Sequence, residues 1–424
     1  MKLSDAAAPA PLASEDLATA LARFGVVRGH SDALTAGLEP EDTVLQSMEL
    51  ASPTGWQLAH TTWFFEEFLL RKLDPDYTPL DPAHRFLFNS YYDAIGARTA
   101  RDARGLMSRP TLREIRAYRA AIDERVAAAL ADPALTGAAR AYALQILELG
   151  CHHEQQHQEL IVTDLKHAFS FNPLQPPMAP SDGSETGAML GLDDPRPLPK
   201  GAATFARFEE GPRQIGHTGQ GFHYDNETPR HTVHVHAFEL AERPVTAREF
   251  IAFIEDGGYE DHRHWLSAAW ERVGARAPEQ RMPLYWRLIE GVWTEYTTRG
   301  RASVELDAPV RHISYDEADA FARWSGARLP TEAEWEVADA ESGGLAETGH
   351  VWEWTSSAYA AYPGYSPEPG ALGEYNGKFM CGQFVLRGSS CATPPGHSRA
   401  TYRNFFPPEP QWQFSGLRLA RNPQ

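Results

Sequence analysis

The segment CHHEQQHQELI, residues 151–161, sets His153 and His157 four positions apart in a strongly helical stretch. Neutral imidazole is a common ligand for first-row transition metals. On an α-helix that spacing puts both rings on one face, about 6 Å apart along the axis, near enough to share one ion. A third ligand must come from elsewhere, and His60, in the aromatic stripe AHTTWFFEEF (59–68), is the best candidate. A lone histidine on an apolar face is usually a satisfied core residue; the i,i+4 pair on another helix turns the reading toward a ligand. The same string satisfies HExxH through His153, Glu154 and His157. In zinc metallohydrolases that pattern supplies two ligands and a general-base Glu. No further His follows at the spacing of the extended zincin motif, and imidazole by itself suits zinc and iron alike.

These side chains need helices to position them. Residues 14 to about 170 read as helical, with Ser14 capping a run to Phe24, a short helix over Thr43–Glu49 and a long one from Pro53 to Leu73. A Pro-flanked loop spans 74–110, and further helices run over Thr111–Ala131 and Gly137–Phe169. Four long helices with one long crossover predict a bundle, a fold that builds metal sites from facing helices. Between Phe171 and Gly201 periodicity gives way to Pro, Gly and Asp, the composition of a linker or wrapping arm. Beyond it, Arg230–Leu240 alternates as a strand, and Thr246–Asp256 and Asp316–Trp324 read as helices. The remainder is loop-rich, giving a mixed α+β domain. The expected division is 1–170, 171–200 and 201–424.

A chain of 424 residues exceeds what one core usually supports, so several domains are expected. With 57 acidic against 39 basic residues, the net charge of −18 argues against a nucleic-acid partner. Cys151, Cys381 and Cys391 are too few and too uneven for a disulfide framework. No stretch approaches membrane-spanning length and the first residues lack a secretory core, so a reducing cytoplasm is the expected compartment.

Taken together, AHTTWFFEEF, FNSYYDAIGAR, HHEQQHQEL, LPTEAEWEVA, VWEWTSS and YNGKFMCGQFVLRGSSCATPPGHSRATYRNFF resemble the ergothioneine-biosynthesis sulfoxide synthases (the EgtB family), over roughly Leu38 to Arg421. The resemblance implies an N-terminal DinB-like four-helix bundle and a C-terminal domain like the formylglycine-generating enzyme, of C-type-lectin-like fold. It implies Fe(II) held by His60, His153 and His157, O2 as co-substrate, and small-molecule substrates: hercynine, the betaine of histidine, and a thiol. Tyr91 and Tyr92 match the tandem tyrosines of the bacterial type II subgroup and are expected to be catalytic. One would deliver a proton while neighbours in an extended chain point to opposite sides. Gln156 and Asn404 match hercynine contacts, and Phe405 and Phe406 would wall the trimethylammonium group, as aromatic faces do. The mycobacterial subgroup has an aromatic followed by Asp after the equivalent Asn. Here the run is Asn404-Phe405-Phe406, which favours free cysteine over γ-glutamylcysteine as donor.

Arg98 and Arg104, in GARTARDARGL, are candidates to hold the donor's carboxylate; the alternative is surface arginines on a polar loop. Gly55, Gln57, Ala268, Ala269 and Ser389 depart from the family pattern without removing a ligand or a tyrosine. Competing readings are a selenoneine synthase using a selenosugar, a zinc metallohydrolase, formylglycine generation, for which Cys391 has no second cysteine within the motif that follows it, and a non-enzymatic binding module.

Overall fold

The computed structural model describes residues 17–178, 193, 195–219, 221–368 and 370–423. The capped start expected at Ser14 lies outside them, as do 179–192 and 194 of the Pro/Gly-rich segment. The chain forms two compact units, one running to Ile161 and including Thr218–Phe222, the other comprising Val162–His217 and His223–Gln424.

The first unit is a four-helix bundle. Helix α1 (Leu17–Leu34) buries Ala20, Phe24, Val27, Arg28, Ser31 and Leu34, the three- and four-residue stripe of an amphipathic helix. Helix α2 (Thr54–Phe65) is buried at every position and runs through a π-helical turn, Glu66–Leu70, into α3 (Arg71–Leu73). After a single helical turn, α4 (His84–Leu87), come α5 (Leu112–Ala131) and α6 (Gly137–Ser170). Helix α5 starts where Thr111 caps it, its hydroxyl accepting from Glu114 N–H while Glu114 reaches back to Thr111 N–H at 2.7 Å.

Two local expectations fail. Over Thr43–Glu49 only one 3-10 turn forms, Asp42–Val44. The cause is Gln46, whose amide donates to Ala51 O and Arg101 O (both 2.8 Å) and accepts from Gly105 N–H (2.6 Å). Nor is Arg230–Leu240 a single strand.

The second unit carries four small sheets among the described residues. Strand β4 (Phe238–Ala241) lies between β1 (Phe205–Phe208) and β12 (Ala420–Arg421) and pairs antiparallel with both, and β2 (Gly211–Ile215) pairs with β3 (His231–Val235). The alternating run therefore breaks after Val235, because its halves serve different sheets. Strands β5 (Trp286–Ile289), β6 (Val292–Thr297) and β7 (Gly300–Ser303) form an antiparallel meander. The fourth sheet has the order β10 (Asn404–Phe406), β9 (Phe384–Gly388), β8 (Trp352–Ala358), β11 (Ser415–Leu417), with only β8–β11 parallel. Helices α7 (Ala247–Glu255), α8 (Ser267–Ala275), α9 (Tyr315–Trp324) and α10 (Glu332–Ser342) complete it, and Thr246, Ser314 and Thr331 cap three of them with Glu249, Glu317 and Glu334.

Acidic residues of LPTEAEWEVA and VWEWTSS are structural. Glu332 pairs with Arg403, Glu336 with Arg387 and Glu353 with Arg418, all buried. Such pairs are costly to break once desolvated. The described part of the Pro/Gly-rich segment is tied to the same unit: Met178 N–H donates to Thr298 O (2.7 Å), and the buried Asp193 carboxylate takes Lys166 at 2.8 Å. Among the described residues no helix is long and apolar enough to cross a membrane.

Candidate metal centre

Helix α2 brings His60 and helix α6 brings His153 and His157 together, one nitrogen from each lying within 4.8 Å of the others. A glycine permits the approach: a Cβ on Gly150, three residues before His153, would lie 2.3 Å from the Phe65 ring. The three rings sit 4.8–4.9 Å apart, centroid to centroid. His60 is stacked between Trp56 (4.7 Å) and Trp63 (5.6 Å), one helical turn to either side.

The rings are also oriented. His60 Nδ1–H donates to Phe88 O at 2.6 Å, leaving its buried Nε2 without a hydrogen-bond partner among the described residues. His157 Nδ1 lies 3.1 Å from Gln57 Oε1, and the other end of that amide donates to Ser52 O (3.0 Å), so the oxygen faces the imidazole. Metal-bound histidines are commonly fixed by such partners. Burial pushes all three imidazoles down, His153 to about 3, with the neighbouring rings adding to the effect at His60 and His157. Three neutral nitrogen donors facing one another, one of them an orphaned buried atom, suit a divalent transition metal.

Glu154 does not belong to this face. One residue on from His153 it is turned about 100° around the helix, where Arg28 (2.8 Å), Arg119 (3.0 Å) and Ser31 (2.6 Å) take its oxygens. Arg28 also donates to Thr62 on α2 (3.0 Å), so one network joins all four long helices. A carboxylate engaged in this way is unavailable as a general base beside the metal, which removes the zinc-hydrolase reading of HExxH. His152, also flanking the pair, stacks on Phe222 at 3.8 Å.

Tyr91 and Tyr92 lie on the loop after α4. Asn89 organises it, donating to Tyr92 O and Gly96 O (both 3.1 Å) and accepting from Tyr92 N–H (3.2 Å). An Asn just before the paired tyrosines was the signal for this turn. The fully buried Tyr92 packs against Trp63 (5.8 Å) and Phe68 (5.0 Å). The half-buried Tyr91 ring is only 4.8 Å away. The two do not diverge as in an extended chain, because the backbone bends at Tyr91.

Arg104 is buried rather than superficial. Its guanidinium lies 3.5 Å from the Trp56 ring centroid and donates to Ser52 and Ser90 hydroxyls (2.9 and 3.1 Å), continuing the stack on His60. Arg98 is exposed and pairs with Asp93. Gln156 is half-buried beside His157 on α6.

In the second unit, strand β10 places Asn404 and Phe406 on one face and Phe405 on the other. Phe405 stacks on Tyr359 (4.0 Å), whereas Phe406 meets Trp412 edge-on (5.2 Å). The two phenylalanines therefore do not line one wall. The alternation was visible in the sequence once the strand was recognised.

Residues 23–161 match the DinB superfamily, and residues 194–348 and 343–423 match the sulfatase-modifying factor enzyme 1-like domain. The chain is 31% identical to the hercynine oxygenase of Mycobacterium tuberculosis, with 88% of this chain and 91% of that protein covered. It is 30% identical to the hercynine oxygenase of Mycolicibacterium thermoresistibile, covering 88% and 87%. A formylglycine-generating enzyme of Streptomyces coelicolor is 36% identical over a shorter stretch, 32% of this chain and 45% of that protein. With both domains matched and the alignment running nearly end to end, the chain belongs to the hercynine oxygenases, the sulfoxide synthase family of ergothioneine biosynthesis.

Proposed function

We propose that this protein is an O2-dependent non-haem iron enzyme joining free cysteine, in preference to γ-glutamylcysteine, to the imidazole carbon of hercynine as the sulfoxide. The observation that carries this reading is the meeting of three imidazoles from two helices, His60 and His153 buried and His157 half-buried, in a chain aligned nearly end to end with hercynine oxygenases. The overall change balances without an outside reductant. The imidazole C–H and thiol S–H bonds are lost, a C–S and an S–O bond form, and the second oxygen atom leaves as water. O2 takes all four electrons from the two substrates.

His60, His153 and His157 would hold Fe(II), which when bound supplies O2 activation and keeps the donor sulfur as thiolate. Phe88 O and Gln57 keep two of the rings in the tautomer that offers Nε2. Tyr91 and Tyr92 hold a proton on a hydroxyl for oxygen as it is reduced. Gln156 and Asn404 are proposed hercynine contacts, with the Phe406 face, backed by Trp412, attracting its quaternary ammonium. Arg98 is the proposed partner of the cysteine carboxylate, while Arg104 braces Trp56 and His60.

The test is anaerobic loading with Fe(II), then O2 with hercynine and, separately, cysteine, γ-glutamylcysteine or a selenosugar, the products being identified by mass. Cysteine should give the coupled sulfoxide, and His60→Ala, His153→Ala and His157→Ala should each lose Fe(II) binding while keeping helical circular dichroism. Faster coupling of another donor would move the substrate assignment. Iron bound with no coupling to any donor would overturn the reading.

A further inference from the structure

The alternating run HTVHVHAFEL leaves a second group of metal-ligating side chains that the proposed reaction does not use. On strand β3 and just beyond it, residues two apart share a face. Val235 enters the core with Phe208, Ile215 and Phe238, so His234 and His236 face solvent. The register pairs Gly211 with Val235 and Pro212 with His234, which brings Glu210, one residue before β2, beside both imidazoles. His234 Nε2 is 2.9 Å from Glu210 Oε1, and His236 Nδ1 is 3.9 Å from the same oxygen. The imidazole rings are 5.2 Å apart, and one ligand atom from each of the three residues falls within 4.8 Å of the others.

We propose that Glu210, His234 and His236 form a surface site for a divalent transition-metal ion, of the two-imidazole, one-carboxylate type. This donor set suits Zn2+, whose nitrogen and oxygen ligands lie at about 2.0–2.2 Å, and leaves a coordination position for water. The side chains are exposed, so small rotations can draw the three atoms in to that distance without disturbing the core. Ligands of this kind hold Cu2+ and Zn2+ more tightly than Fe2+. A bound ion would tie the residue before β2 to the end of β3 and stabilise that strand pair by linkage.

Zn2+ titrated into the full-length protein, with bound metal counted after equilibrium dialysis, tests the site. The His234→Ala/His236→Ala variant should bind one equivalent fewer than the wild type, whether or not zinc also enters the buried histidine centre. Glu210→Gln should weaken that equivalent by about tenfold. Zn2+ should raise the melting temperature of the wild type more than that of the double variant. Equal zinc stoichiometry in the wild type and the folded double variant would overturn the proposal. These residues take no part in the iron reading, so failure of either inference leaves the other standing.

Discussion

Replacing Glu154 by Gln separates the two chemistries that HExxH allows. The carboxylate is 1% exposed and both its oxygens are engaged, by Arg28, Arg119 and Ser31. Burial alone would raise its pKa, but Arg28 and Arg119 outweigh burial and hold it at about 2, against an ordinary 4.5. That difference corresponds to about 3 kcal/mol of stability at neutral pH. Removing one partner of a buried ion pair costs about 3–5 kcal/mol by comparison with other proteins. The two routes agree, and the expected effect is a fall of roughly 10 °C in the melting of the helical unit, followed by far-UV circular dichroism. The pH dependence has a definite sign. A depressed carboxyl stabilises fully above pH 4.5 and loses its contribution as pH falls toward 2, so wild type and variant converge in acid. Below its melting temperature the variant should still bind Fe(II), because the carboxylate faces the arginines and not the three imidazoles. A variant as stable as wild type at pH 7, metal-loaded but inactive, would refute this reasoning and make Glu154 a base.

Gln57→Ala removes the acceptor for His157 Nδ1–H and should weaken Fe(II) binding about 10–100-fold in a chelator competition, with Gln57→Glu retaining most of the affinity. Unchanged affinity would mean that Gln57 merely packs. Tyr92→Phe should leave iron and substrate binding intact while diverting product from sulfoxide toward cysteine sulfinic acid. An unchanged product ratio in Tyr91→Phe, Tyr92→Phe and the double variant would place the proton donor elsewhere. Phe406→Ala should raise KM for hercynine and narrow its advantage over unmethylated histidine, whereas Phe405→Ala, stacked on Tyr359, should act on stability. Equal efficiency on hercynine and histidine in the wild type would remove the aromatic recognition of the ammonium group.

Much of the helical frame was legible because its signals are local. The spans Thr111–Ala131 and Gly137–Phe169 agree with the observed helices to within a residue, and Thr246, the first residue of its expected span, caps that helix by bonding to Glu249 three residues on. The four-residue spacing of His153 and His157 likewise puts both rings on one face of any helix. What chain order could not reveal is which distant groups those side chains meet. His60 finds its acceptor at Phe88, 28 residues away, and Glu154 finds Arg28 126 residues away. Gln46 keeps its own segment from becoming a helix by bonding to Gly105, 59 residues on, and Arg104 leaves the surface to lie on Trp56. Helix periods and caps follow from interactions within about one turn of backbone. Ring orientation, the engagement of a carboxylate and the convergence of two helices follow only from packing, which the tertiary structure decides.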